Sequence, residues 1–162
     1  MVVKLGRVDP AQLDLGYAAL FVGLRVNELV MERLKRGGFE NVRESHGYVI
    51  QHLIGGERSI TELARRMEVT QQAASKAVAQ LMELGILEAA AGADRRSKRI
   101  RLSARGWESV RRGREIRRRI EGRLRGSIGE RRYSRAKEAL LACLGELGGL
   151  TRIRSRRVRM PG

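Results

Sequence analysis

The sequence predicts a mostly α-helical protein with a small β wing, and three observations lead there. Apolar residues recur at steps of three, four and seven over most of the chain, as one buried face of a helix requires. Only two of the 162 residues are Pro, while 32% are charged, a composition that favours helices. Between Ile86 and Leu102 the period shortens to two around a Gly- and Asp-containing turn, which is the pattern of a hairpin.

The elements follow in order. Pro10 opens a helical pattern through Leu13, Tyr17, Leu20, Leu24, Met31 and Leu34, which Gly37 and Gly38 stop. A second helix begins near Glu44 or Ser45 and ends at Gly55 and Gly56. Ser59 and Glu62 form a capping box for a short helix, Ile60 to Met67, in which the hydroxyl takes one orphan amide and the carboxylate returns to the cap. Thr70 caps the next helix, with Ala74, Val78 and Leu81 on its buried side and Gly85 as its stop. Ile86 to Glu88 and Lys98 to Leu102 are the two strands, joined through Ala91 to Asp94. Ser103 caps a long helix containing Trp107, Val110, Ile116, Ile120, Leu124 and Ile128; bends or close contacts are expected at its Gly113, Gly122 and Gly126. A last helix, about Glu130 to Leu147, carries a seam of Tyr133, Ala136, Leu140, Leu144 and Leu147.

Charge narrows the function. Lys plus Arg number 34 and Asp plus Glu 18, a formal charge of +16. The excess is uneven, since residues 103–162 alone carry 18 basic and 6 acidic side chains. A field of this size concentrates phosphate-bearing partners. No uncharged run approaches the ~20 apolar residues of a membrane span. Asp9 and Asp14 stand where a secretory signal needs a basic flank, and a single Cys forms no disulfide within the chain. A cytoplasmic protein without a membrane partner is expected.

Residues 59 to 84 read as a helix-turn-helix. The second helix exposes Gln71, Gln72, Ser75 and Lys76 near its start, which together with the capping Thr70 are expected to meet DNA, since amide side chains match the donor and acceptor pair of adenine and Lys reaches guanine or phosphate. The basic hairpin that follows reads as a wing: Arg95 enters a minor groove, and Arg96, Lys98 and Arg99 meet phosphates. Asp94 pairs with Arg96 and fixes the turn.

Three runs together resemble the MarR family of winged helix-turn-helix transcriptional regulators: Ser59 to Met67, Val69 to Gly85, and Asp94 to Gly106. The most specific parts are Asp94-x-Arg96 in the wing and Leu102-Ser103-x-x-Gly106 after it. The resemblance implies a homodimer in which first and last helices of two chains interleave, a reading lobe per chain bound to double-stranded DNA at a pseudo-palindromic operator, and a small-molecule effector between dimer region and lobe. Tyr17, His46, Tyr48, His52 and Trp107 fall on elements that border that pocket in relatives; they serve equally well as core residues. The implied organisation is residues 1–40 for a dimerisation helix, 41–104 for the winged lobe, 105–150 for further dimerisation helices, and 151–162 for a basic, mobile tail. The Ala-rich upstream arm of the wing and the very basic fifth helix and tail depart from the family pattern.

Other chemistries find little support. His46 and His52 are six apart and face different directions on one helix, so neither a metal site nor a cofactor is expected. Cys143 sits beside the last seam as a structural thiol. Nothing resembles a nucleophile with its base, a carboxylate pair or a phosphate loop, so an enzyme is not expected. The function read from the sequence is a homodimeric, sequence-specific DNA-binding regulator, a repressor responsive to a ligand. The alternative is a nonspecific nucleoid-type DNA- or RNA-binding protein that uses the basic C-terminal third.

Overall fold

The computed structural model describes residues 9–90 and 99–151. Asp94, Arg95, Arg96 and Lys98 of the predicted wing, and the tail from 152 onward, lie outside them.

Helix α1 spans Leu15–Arg36. Pro10 belongs instead to a separate 3-10 turn, Pro10–Gln12, because Asp9 caps that turn and Leu13 is extended. Asp14 then starts α1 by accepting from the Tyr17 N–H at 2.9 Å, which corrects the predicted opening at Pro10. At the other end Phe39 N–H donates to the Leu34 carbonyl at 3.1 Å across Gly38, whose φ of +90° suits a residue without Cβ.

The lobe follows as α2 (Glu44–Leu53), β1 (Arg58–Ser59), α3 (Ile60–Met67), α4 (Gln71–Glu83), β2 (Leu87–Ala89) and β3 (Arg99–Leu102). The sheet order is β1-β3-β2 with both pairings antiparallel. Leu87 lies opposite Leu102 and Ala89 opposite Ile100; alternation turns Ile100 and Leu102 inward and leaves Arg101 in solvent. Strand β1, beyond the two-stranded hairpin that the sequence predicts, is only two residues long and too short to show a period.

Helix α5 (Ala104–Ile128) leads out of the sheet, and α6 (Glu130–Glu146) turns back from it. Ser103 joins β3 to α5: its hydroxyl donates to the Gly85 carbonyl at 2.5 Å and accepts from the Gly106 N–H at 3.0 Å. A Cβ at Gly106 would collide with the Ile86 carbonyl. That close approach explains a Gly three residues after the cap. Gly113, Gly122 and Gly126 behave otherwise, since a Cβ at any of them meets nothing within 4 Å; the close contacts expected there are missing among the described residues.

The core sits in the lobe. Val49, Leu53, Leu63, Met67, Leu81, Ile86 and Ile100 are its most enclosed side chains, drawn from α2, α3, α4 and the sheet. The two ends of the chain are different. Leu15, Leu20, Phe21, Val22 and Leu24 of α1 and Leu140 and Leu141 of α6 are all exposed, and α6 has no buried residue.

Candidate nucleic-acid interface

The α3–α4 unit is fixed from both ends. Ser59 and Glu62 cap α3 reciprocally, with Glu62 N–H to Ser59 Oγ at 3.2 Å and Ser59 N–H to Glu62 Oε2 at 2.8 Å. The backbone hydrogen bond from Ser59 holds the Glu62 carboxyl below its ordinary range. The connection to α4 is three residues long, and Glu68 takes a left-handed conformation there, φ 55°. Thr70 Oγ1 accepts from Ala73 N–H at 3.1 Å, so this hydroxyl is used to begin α4.

Helix α4 buries Ala74, Val78 and Leu81 and turns Gln71, Gln72, Ser75 and Lys76 to solvent. These four line one shallow hollow together with Ile60 and Ala79. None of the four has a side-chain hydrogen bond or ion pair among the described residues. The polar atoms of the face are therefore available to an outside partner, and the short Ala79 and Ala73 keep it close to the helix backbone. Ile60 and Ala79 were missed in the sequence reading, although Ala79 lies four residues after Ser75, on the same helical face.

The wing's root is built from charge pairs. Arg101 on β3 reaches Glu88 on β2 at 2.8 Å. Arg99 lies 2.8 Å from the Glu57 carboxylate and donates to the Glu57 carbonyl at 3.2 Å. Among the predicted wing cations, Arg99 is the one within the described residues, and it is engaged inside the lobe.

Among the described residues, the five suggested for an effector pocket are not brought together around either of the hollows between α1 and the lobe. A hollow of about 230 Å³ between α1, α2 and α5 is lined by Asn27, Val30, Ile50, Val110, Arg114 and Arg117 among others, and by none of those five. His46 borders a neighbouring hollow with Gln80, Glu83 and Lys35. His46 and His52 are buried and Tyr48 is half-buried; Tyr17, 56% exposed, stacks on Phe21; Trp107 is exposed at the start of α5. His46 is occupied by capping: its Nδ1 accepts from the Arg43 N–H at 3.1 Å, which puts the proton of a neutral ring on Nε2. Burial lowers its pKa, Gln80 on α4 acts in the other direction, and the Arg43 charge lowers it further. Cys143 is half-buried. Among the described residues no group of three His, Cys, Asp or Glu side chains could hold a metal ion, and no helix is long and apolar enough to cross a membrane.

Comparison with known proteins agrees with this geometry. Residues 42–97 match the model of the MarR family. RV1404 from Mycobacterium tuberculosis is similar in structure, with a TM-score of 0.69 at 21% identity over 88% of this chain and 99% of that one. MepR, a transcription regulator of the Staphylococcus aureus multidrug efflux pump MepA, gives 0.67 at 16% identity over 83% and 99%, and a MepR variant has been solved bound to an oligodeoxyribonucleotide. The organohalide-sensing regulator RdhR-CbdbA1625, in its 2,4-dichlorophenol-bound form, gives 0.55 at 19% identity over 100% and 98%. Among curated proteins, none matches the chain in sequence.

Proposed function

We propose, from the match of residues 42–97 to the model of the MarR family, that this protein is a homodimeric, sequence-specific DNA-binding transcriptional regulator acting as a repressor in the cytoplasm. The observation that carries the reading is the face of α4, where Gln71, Gln72, Ser75 and Lys76 line one hollow without side-chain partners among the described residues. An amide pair and a Lys on a helix free to enter a major groove read adenine and guanine edges. Thr70 orients the helix. Arg95, Arg96 and Lys98 supply phosphate and minor-groove contacts from the wing, with Asp94 steadying Arg96, while Arg99 acts through the wing's root.

Dimerisation is supported by the exposed apolar side chains of α1 and α6, which form patches that a soluble chain ordinarily covers. Two recognition helices then meet the groove ~10 base pairs apart, and the operator is a pseudo-palindrome. The DNA-bound MepR variant and the dichlorophenol-bound regulator support a duplex partner and a small-molecule effector. The hollow between α1, α2 and α5 is the place for that effector.

The competing reading is a nonspecific polyanion binder, favoured by Arg111, Arg114 and Arg118, which stand exposed on α5. Selection from a pool of randomised duplexes separates the two. A specific regulator enriches an inverted repeat and prefers it by ~10³ or more; a pool that stays random contradicts the proposal.

A further inference from the structure

A second cluster of charge lies away from the α4 face. Between the C-terminal part of α1 and the middle of α5 runs a groove of about 950 Å³ lined by Arg33, Arg112, Arg119 and Arg123, with Ile116 and Gly122 between them and Glu115 as the one acidic residue of the lining. Two of the four cations are held in place by the protein. Arg112 donates to the Gly37 carbonyl at 2.9 Å and pairs with Glu108 at 2.8 Å, which ties it to the end of α1. Arg119 pairs with Glu115. Arg33 and Arg123 have no carboxylate or hydrogen-bond partner among the described residues. With Arg112 paired to Glu108 and Arg119 to Glu115, the groove keeps two guanidinium groups, Arg33 and Arg123, without a carboxylate among the described residues, and an entering anion would balance them.

We propose that this groove is a binding site for a small multivalent anion, a compound with two or more carboxylate or phosphate groups. Planar guanidinium forks accept such groups in pairs. The concave shape suits a small molecule better than a duplex, and Arg111 and Arg118, exposed on α5 outside this lining, remain for duplex phosphates. Gly122 lets the ligand approach the α5 backbone, since a Cβ there meets nothing within 4 Å, and the half-buried Ile116 supplies an apolar floor. The site contains none of the α4 residues, so it stands apart from the DNA reading. Because it spans α1 and α5, an anion bound there would brace the helix leaving the sheet at Ser103 against the helix entering the lobe.

Calorimetric titration with pyrophosphate, citrate and acetate tests it. The wild type is expected to bind pyrophosphate and citrate at one site per chain and acetate at least tenfold more weakly. The double variant Arg33→Gln/Arg123→Gln, and Arg123→Gln alone as a milder change on the exposed side of α5, should lose affinity, the double variant by tenfold or more. Arg111→Gln/Arg118→Gln removes the same charge outside the groove and should bind as the wild type does. Absence of binding by the wild type, equal losses in the two double variants, or a groove variant that weakens duplex binding but leaves pyrophosphate unaffected would each overturn the proposal, the last by assigning these arginines to DNA phosphates.

Discussion

Arg99 on β3 sets its Nε 2.8 Å from the carboxylate of Glu57, which leads into the short strand β1. Its Nη2 also donates to the Glu57 carbonyl at 3.2 Å, so one guanidinium ties the wing's inner strand to the entry of the helix-turn-helix. Both side chains are partly exposed, 37% and 44%, which limits the pair to ~0.2–1 kcal/mol. Arg99→Ala and Glu57→Ala should therefore cost similar, small amounts of stability in urea titrations. Neither is expected to change the salt dependence of DNA binding, because the Arg99 guanidinium is engaged with Glu57; a slope reduced by ~0.9 in Arg99→Ala alone would reveal a direct phosphate contact.

Gly106 carries a sharper expectation. A methyl group at this position meets the Ile86 carbonyl and Leu102 at once, both in the buried junction of sheet and α5, so the backbone has to move. Gly106→Ala should lower stability by ~1–3 kcal/mol, as overpacked cores do, while Gly113→Ala, in open space within the chain, should be neutral or stabilising by up to ~1 kcal/mol. Paired denaturation curves decide whether the close approach matters as stated.

His46 makes stability depend on pH. Its folded-state pKa is lowered, with burial as the first cause, so the unfolded chain takes the proton first as pH falls through the ordinary value of ~6.5. The stabilisation is present above that value and is lost progressively as pH falls toward the lower folded pKa. His46→Asn keeps an acceptor for the Arg43 N–H without a titrating ring. It should flatten the stability profile between pH 5 and 7; an unchanged profile assigns the dependence to another group.

The exposed apolar residues at the two ends of the chain predict an assembly. Leu20 is 52% and Leu140 41% exposed, whereas Leu144, in the same predicted seam, is already half-buried within the chain. Leu20→Asp/Leu140→Asp should yield a monomer by multi-angle light scattering with its helical content largely kept. A stable dimer in that variant contradicts dimerisation through these helices.

What was legible in the sequence were the features written in local chemistry. The Ser59–Glu62 box, the Thr70 cap and the Ser103 cap all stand as read, because a hydroxyl before an apolar-periodic run leaves few alternatives. The exposed face of α4 followed from the same periodicity. Pro10 misled because Asp9 and Asp14 are both good caps and only one begins the long helix. The left-handed Glu68 left no signal, since Gly or Asn usually marks such a position. Aromatic and His side chains on bordering helices say nothing about which face they occupy; of the suggested effector residues, His46 also serves the cap of α2. The arginine groove depends on how α1 lies against α5, which no local pattern states.

The most direct test of base reading by α4 compares Gln72→Ala with removal of residues 152–162, each measured on the selected inverted repeat and on a scrambled duplex across a salt series. Gln72 has no side-chain partner among the described residues, and its loss should cost ~1–3 kcal/mol on the repeat and little on the scrambled duplex. The removed segment carries five Arg, and its loss should weaken both duplexes alike and flatten the salt dependence by ~0.9 per lost phosphate contact. If Gln72→Ala weakens both duplexes equally while the truncation abolishes discrimination, α4 is not the element that reads DNA.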